Sequence, residues 1–258
     1  MQLRELAISE LKSVSNWLKA NRLSANHSKT HFMIFKGLRK LDFSLRILFD
    51  GKTISQKDSS KMMGVIIDEK LNWSEHIGKV RAKVSRAIGI LHKFSKILPS
   101  DTLKLIYYSI LQPHLQYCNV WWGNAPKSLI LPLFRLQKKA TRKVCQASFF
   151  EHTNYLFKSK KILKLQDINT LESIKFVQKE INKPNSTYFI RRERPLNMVL
   201  RNANPQSLYL PQPRSEREKR FISYHAPKVW NALPEQLQNQ RNPVTFKNNI
   251  KKKLLDQY

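Results

Sequence analysis

The chain has 258 residues, of which 41% are hydrophobic, enough to bury one main core but not several large domains. Its 47 Lys and Arg against 18 Asp and Glu give a formal charge of +29 at pH 7. Positive side chains in such excess repel one another unless polyanions neutralise them, so nucleic acid is the favoured partner. An anionic membrane surface and a merely solvated surface are the alternatives. Cys118 and Cys145 lie far apart, with no C-x-x-C pair, which excludes a disulfide scaffold and a structural zinc site.

The amino-terminal segment is amphipathic. Apolar residues at helical spacing between Leu3 and Leu18 predict a helix that ends near Asn21. Charged residues interrupt this pattern, unlike the apolar core of a secretory signal, and no run is long enough to span a membrane. We therefore expect a protein of the nucleus or the cytoplasm that is not secreted and has no membrane partner. The chain opens directly on this helix, as a fragment would.

Three β-rich segments follow the first helix. Residues 30–35 form the first. Alternating apolar residues in 43–49, the turn dipeptide Asp50-Gly51 and residues 52–55 predict a β-hairpin with a two-residue turn. The apolar residues of 61–68 are continuous, which predicts one strand covered on both faces.

The longest helical pattern begins at residue 72. Asn72 and Glu75 stand at capping-box spacing, and one apolar stripe continues to Leu98, before Pro99. Four cations at spacings of four, three and seven residues share a separate face: Lys79, Lys83, Arg86 and Lys93. Like charges so close disfavour one another unless phosphates compensate, so this face is predicted to contact a nucleic-acid backbone. A solvated face is the ordinary alternative.

Three more helices are predicted. Asp101 is placed to cap the first, which breaks near Pro113. The next carries Leu133, Leu136, Ala140 and Val144, and the last covers about residues 167–181. The middle helix carries a second set of candidate phosphate contacts: Arg135, Lys138, Lys139, Arg142 and Lys143.

The last part of the chain combines a linker and a short helical module. Five prolines between residues 184 and 213 give residues 184–220 a linker composition. Its arginines and lysine predict a flexible, non-specific clamp that could also serve as a nuclear address: Arg191, Arg192, Arg194, Arg214, Arg217, Lys219 and Arg220. The module that follows is predicted to pack through Tyr224, Trp230, Leu233, Phe246, Ile250 and Leu254.

Aromatic residues interleave with the cations and could stack on unpaired bases. Trp73 and Tyr107 lie on apolar stripes, so core packing is the expected role for both. Trp121 and Trp122 are adjacent, so one of them is expected to be exposed, and Tyr108 is a further candidate.

Short motifs spaced along the whole chain occur in a characteristic order. They include Asn16-Trp17-Leu18, Ser28-Lys29-Thr30, Met63-Gly64-Val65, Leu71-Asn72-Trp73, Leu98-Pro99, Tyr117-Cys118, Trp122-Gly123, Leu136-Gln137-Lys138 and Trp230-Asn231-Ala232-Leu233-Pro234. In this order they resemble the part of jockey-like non-LTR (LINE-type) retrotransposon reverse transcriptases that follows the catalytic Y-x-D-D box.

The resemblance implies an α+β fold. Residues 1–70 would be a small antiparallel palm remnant with an amino-terminal helix, and 71–183 a mainly α-helical thumb-like and connection region. Residues 184–220 would be the basic linker, and 221–258 the carboxy-terminal helical module.

The same resemblance implies roles for three residues. Lys29 would be the palm lysine that approaches an incoming triphosphate in a complete enzyme. Met63 and Gly64 would belong to the strand that grips the primer. An ordinary surface lysine and a β-bulge remain the alternatives.

The catalytic chemistry of that family needs paired carboxylates that hold two Mg²⁺ ions. The sequence has no Asp-Asp pair, and its candidates are isolated: Asp42, Asp50, Asp58 and Asp68. We therefore predict a truncated reverse-transcriptase-like protein that binds RNA or DNA through phosphates, without a cofactor, a small-molecule substrate or polymerase activity of its own. Two alternatives stay open: a fragment of a longer active RNA-directed DNA polymerase whose Y-x-D-D half lies upstream, or a decayed or co-opted protein with only an interaction role.

Overall fold

A computed structural model describes residues 2–35, 45–183, 186–190 and 206–258. The chain divides into two compact units, Met1–His76 and Ile77–Tyr258. Strands and helices both occur, which confirms the α+β class. Among the described residues, no helix combines the length and the apolar character needed to cross a membrane. Some residues of the predicted features lie outside the described ranges: Asp42, Arg191, Arg192 and Arg194, residue 43 of the predicted hairpin, and the linker prolines at 184, 195 and 205.

The first unit is a helix on a small sheet. Its elements are α1 (Gln2–Ala20), β1 (His31–Phe32), β2 (Ile47–Phe49), β3 (Lys52–Gln56), β4 (Ser59–Met62) and β5 (Val65–Asp68). Strand β3 is central, parallel to β1 and antiparallel to β2. Ile47, Phe49 and Ile54 are buried, and the apolar face of α1 packs on them. The predicted helix and sheet are therefore both present.

The Asp50-Gly51 turn between β2 and β3 is confirmed. Phe49 pairs with Lys52, and both turn residues have positive φ, 47° and 75°, as a two-residue hairpin of this kind requires. The Asp50 carboxylate also accepts hydrogen bonds from the Ser15 hydroxyl at 2.6 Å and from Lys19 Nζ at 3.4 Å. The turn is thereby tied to α1.

The prediction of one covered strand over residues 61–68 is wrong. The segment belongs to a second hairpin, in which Met62 pairs with Val65 and Met63-Gly64 forms the turn. Met63 and Gly64 have φ of 49° and 85°, so two successive left-handed residues reverse the chain inside an apolar run. Met62 and Met63 are 61% and 86% exposed, whereas Val65 and Ile66 are buried. Continuous apolar character did not reveal the reversal.

Asp68 organises the turn that leads from β5 into the next helix. Its carboxylate oxygens accept hydrogen bonds from the backbone N–H groups of Lys70, Asn72 and Trp73, at 2.9 to 3.1 Å. The helix itself begins at Ser74, two residues beyond Asn72. The role of Asp68 is therefore structural.

The second unit is helical. Its elements are α2 (Ser74–Phe94, which starts in the first unit), α3 (Ser100–Ile106), a π-helical turn (Tyr107–Leu111), α4 (Gln112–Gln116), α5 (Asn119–Trp122), α6 (Lys127–Val144), α7 (Asn154–Ser159), α8 (Leu165–Ile181), a 3-10 turn (Glu218–Arg220), α9 (Ile222–Asn231), α10 (Glu235–Gln238) and α11 (Pro243–Leu255). Helix α8 is central, because α4, α5, α9 and α11 all pack on it. Long helices were predicted at the places of α2, α6 and α8, and all three are confirmed.

Two details of the predicted second helix are wrong. Asp101 does not cap it; Pro99 is the N-cap residue, and the Asp101 carboxylate pairs with Lys160 Nζ at 3.2 Å. Pro113 does not break the helical path, which continues to Gln116. The wide π-helical turn ends just before Pro113, so Pro113 stands in the first turn of α4. A proline at that position costs no hydrogen bond, because its missing N–H would not be needed there.

Gly123 sits where no side chain fits. A Cβ atom added there would lie 2.3 Å from Asn119 Oδ1, 2.4 Å from Asn169 Nδ2 and 2.6 Å from the Asn119 carbonyl oxygen. Both asparagines are buried, and Asn169 Nδ2 donates to that same carbonyl at 3.0 Å. Gly123→Ala is therefore expected to lower the free energy of unfolding by about 1–3 kcal/mol, measured by urea denaturation.

A control for this substitution is Gly89→Ala on α2. Nothing lies within 4 Å of a Cβ atom at Gly89, and the residue is exposed inside a helix. This change should stabilise the chain by about 0.5–1 kcal/mol. Equal effects of the two substitutions would contradict the steric account of Gly123.

Candidate nucleic-acid interface

Helix α2 separates an apolar face from a basic face. All four predicted cations are exposed: Lys79, Lys83, Arg86 and Lys93. The side chains on the other side of the helix are buried: Ile77, Val80, Val84, Ala87 and Leu91. The structure thus presents the basic face to solvent, as the periodicity predicted.

Acidic groups do not neutralise most of this face. Of the ion pairs between described residues, none involves Lys83, Arg86 or Lys93. His114 of α4 is half-buried beside them. Burial lowers the pKa of His114 most, and the charges of Lys83 and Arg86 lower it further. Protonation of His114 is therefore disfavoured first by burial and then by the positive charge of the α2 face.

Helix α6 offers a less uniform basic surface. Arg135 and Lys139 are exposed. Lys138 Nζ lies 4.8 Å from the centre of the Phe134 ring, and Arg142 Nε donates to the Glu151 carbonyl at 2.9 Å. Lys143 is half-buried. Two of the five candidates are therefore already engaged within the protein.

The three residues singled out by the family resemblance lie on two turns of the first unit. Lys29 is exposed, and its backbone N–H donates to Asn26 Oδ1 at 3.1 Å. Met63 and Gly64 form the tip of the β4–β5 hairpin. The exposed tip combines a flexible apolar side chain with a residue that has no side chain.

The two adjacent tryptophans have different environments, as expected. Trp122 is fully buried and donates from Nε1 to the Tyr117 carbonyl at 2.9 Å. Trp121 is 45% exposed and meets Phe176 edge-on, with ring centres 6.2 Å apart. Tyr107 is fully buried, which confirms its core role.

Sequence reasoning did not single out two exposed aromatic residues. Phe149 and Phe150 are 65% and 88% exposed in the loop after α6, where their rings touch edge to face. Neither belongs to an apolar stripe, so periodicity gave no signal for them. Their adjacency outside any predicted element, shortly after the basic residues Arg142 and Lys143, was the available clue.

The carboxylates do not fit the two-metal centre that the resemblance would imply. Asp50 binds Ser15 and Lys19, and Asp68 binds three backbone N–H groups. Within the described ranges, no three His, Cys, Asp or Glu side chains are grouped so that they could hold a metal ion. We assign no metal-dependent step to this chain.

Sequence comparison relates the chain to the reverse transcriptases of non-LTR mobile elements, which confirms the resemblance seen in its motifs. It is 28% identical over 208 residues to the probable RNA-directed DNA polymerase from transposon X-element of Drosophila melanogaster, covering 78% of this chain and 21% of that protein. It is 28% identical over 144 residues to the RNA-directed DNA polymerase from mobile element jockey of the same organism, covering 54% and 16%. The chain thus spans about a fifth or less of these relatives. No family model matches it, and no solved structure matches it.

Proposed function

We propose that the chain binds RNA or DNA through the phosphate backbone, with little sequence preference. The observation that carries this proposal is the exposed face of α2, where Lys83, Arg86 and Lys93 have no acidic partner among the described residues. Cations that neutralise phosphates release condensed counterions, which drives binding without reading the bases. A nuclear or cytoplasmic location is part of the proposal.

Three further features support it. The formal charge of +29 raises the local concentration of any polyanion. Arg135 and Lys139 extend the exposed basic surface onto α6. Both relatives are named for RNA-directed DNA synthesis, a reaction that requires an RNA template to be held.

The proposal includes strand contacts at the turns of the first unit. Gly64 has no side chain to keep a nucleic-acid strand away from the hairpin tip, and the exposed Met63 can adapt to an irregular surface. Lys29 supplies a further exposed cation. These contacts would position a strand, whereas the basic helix faces would provide most of the affinity.

Removing the three cations of α2 tests the proposal. The variant Lys83→Gln, Arg86→Gln, Lys93→Gln should bind duplex DNA more weakly at moderate salt, as followed by fluorescence anisotropy. Each lost phosphate contact makes the plot of log K against log salt shallower by about 0.9, so the slope should change by about 3. The substituted side chains are exposed, and folding should be retained.

The matched control removes three exposed lysines from other helices: Lys127→Gln, Lys179→Gln, Lys252→Gln. Net charge falls by the same amount in both variants. If the control loses as much affinity and slope as the α2 variant, net charge alone explains binding and the assignment to α2 is wrong.

A second candidate function is favoured by the names of the relatives: RNA-directed DNA synthesis by a longer protein of which this chain is a part. With Asp50 and Asp68 engaged in turns, the purified chain should extend no primer on an RNA template with Mg²⁺ under either proposal. The two proposals differ in the reading frame upstream of residue 1. An in-frame Y-x-D-D motif in the upstream transcript would favour the longer polymerase, whereas in-frame stop codons there would exclude it.

A further inference from the structure

A cleft of about 160 Å³ in the second unit lies apart from the cations of α2 and α6. The π-helical turn, α4, α8 and α11 contribute its walls. Its polar lining consists of Tyr108, Gln112, Gln116, Glu172, Lys247 and Lys251. Wide helical turns such as residues 107–111 occur frequently at functional sites.

Two lysines of α11 line this cleft, and the charges of two more lysines, Lys104 and Lys161, act on one of them. Lys251 is half-buried, and its Nζ lies 5.6 Å from the centre of the Tyr108 ring. Burial lowers the pKa of Lys251 most, and Lys104, Lys247 and Lys161 lower it further through their charges. The ammonium groups of Lys104, Lys161 and Lys247 are therefore close enough to repel that of Lys251.

The acid in the cleft does not compensate these charges. Both oxygens of Glu172 lie 2.9 Å from Lys175 Nζ, and Oε1 also accepts from Gln116 Nε2 at 2.8 Å. The ion pairs between described residues include none of Lys104, Lys161, Lys247 and Lys251. A half-buried cation beside three others is unfavourable unless an anion joins it.

One hydrogen bond and one buried carbonyl oxygen further define the cleft. The Tyr108 hydroxyl donates to the Lys161 carbonyl at 3.0 Å, which fixes the segment that carries Lys161. Gln112 Oε1 is buried and receives no hydrogen bond from the residues that the structure describes. A ligand with anionic oxygens and one donor group would satisfy both the lysines and this carbonyl.

We propose that this cleft binds a phosphate group, held by the ammonium groups of Lys247 and Lys251, with Lys104 and Lys161 adding to the positive potential. The site is independent of nucleic-acid binding by α2, because it shares no residue with that face. The phosphate can belong to a nucleic-acid strand or to a small phosphorylated molecule, since both present the same anionic oxygens.

Titration with inorganic pyrophosphate tests the site in the full chain. The double variant Lys247→Gln, Lys251→Gln should bind the probe at least about tenfold more weakly than the unmodified chain, because two charge-assisted hydrogen bonds are lost. The matched control Lys228→Gln, Lys252→Gln removes two exposed lysines of α9 and α11 and should bind normally. Equal affinity in all three proteins, or equal losses in both variants, would overturn the proposal.

Lysine acetylation tests the site in the unmodified chain, so the result does not depend on whether a variant folds. Pyrophosphate should slow the acetylation of Lys251 and leave Lys252 unaffected, as followed by mass spectrometry. No protection, or equal protection of both lysines, would overturn the proposal. Protection by a short oligonucleotide as well would assign the phosphate to a nucleic-acid strand, whereas protection by pyrophosphate alone would assign it to a small molecule.

Discussion

Replacing Gln137 by methionine is expected to lower the free energy of unfolding by about 3 kcal/mol or more. Gln137 is fully buried on α6. Its Nε2 donates to the Tyr107 hydroxyl at 2.9 Å and to the Leu163 carbonyl at 2.8 Å, and its Oε1 accepts from the Leu165 N–H at 2.8 Å. Methionine keeps the volume but leaves these groups without their partner, at about 1–3 kcal/mol for each buried group.

Urea denaturation followed by circular dichroism measures this loss, and Tyr107→Phe is the control. That change removes one hydrogen-bond partner and leaves the Gln137 bonds to Leu163 and Leu165 in place, so about 1 kcal/mol should be lost. A Gln137→Met loss no larger than the Tyr107→Phe loss would show that Gln137 does not join α6 to the start of α8.

Acidification should destabilise the chain through His225. Its Nε2 is buried and has no hydrogen-bond partner among the described residues. Burial first, and then the charge of Lys228, lower the pKa of His225 to about 4 from an ordinary value of 6.5. Between about pH 6.5 and pH 4, the imidazole of His225 is protonated in the unfolded chain but remains neutral in the folded chain. His225 should therefore cost about 3 kcal/mol of stability as the pH falls from 7 to 4.

The measurement is the urea midpoint as a function of pH, compared with that of His225→Gln. The variant lacks the titrating group, so its stability should fall less between pH 7 and pH 4. His114, whose pKa is also lowered, is present in both proteins and cancels in the difference. Parallel curves for the two proteins would show that His225 can be protonated in the folded state without cost.

Regular elements with a strong apolar period could be predicted from the sequence. Helices α1, α2, α6 and α8 were found because burial on one face imposes a period that the sequence must obey. Trp230 and Phe246 were placed in the core and are fully buried, with ring centres 6.1 Å apart. The Asp50-Gly51 hairpin followed from turn chemistry alone.

Local reversals and short helices were not predictable in the same way. Met63 supplies positive φ although it is not a typical turn residue, so nothing in the apolar run of residues 61–68 signalled a hairpin. A proline predicts a helix break at residue 113, because the wide turn that accommodates it has no sequence signature. Helices α5 and α7, with four and six residues, are too short to show a period.

The candidate sites differ in how visible they are. The basic face of α2 lies on one helix, so spacing alone located it. On α6, spacing identified Arg142 but could not foresee that its guanidinium binds the Glu151 carbonyl. In the phosphate cleft, Lys247 and Lys251 stand four residues apart on α11, whereas Lys104 and Lys161 come near Lys251 only through tertiary packing. Spacing could have paired the two lysines of α11, but no pattern along the chain could have added the other two.

We propose that the chain holds nucleic acid through its basic helix faces. The most direct test is the affinity of the unmodified chain for duplex DNA at a series of salt concentrations. The four cations of α2 alone predict that log K falls linearly with log salt, with a slope of about −3 to −4, and further contacts would steepen it. Binding that does not change with salt, or no binding at low salt, would contradict the claim.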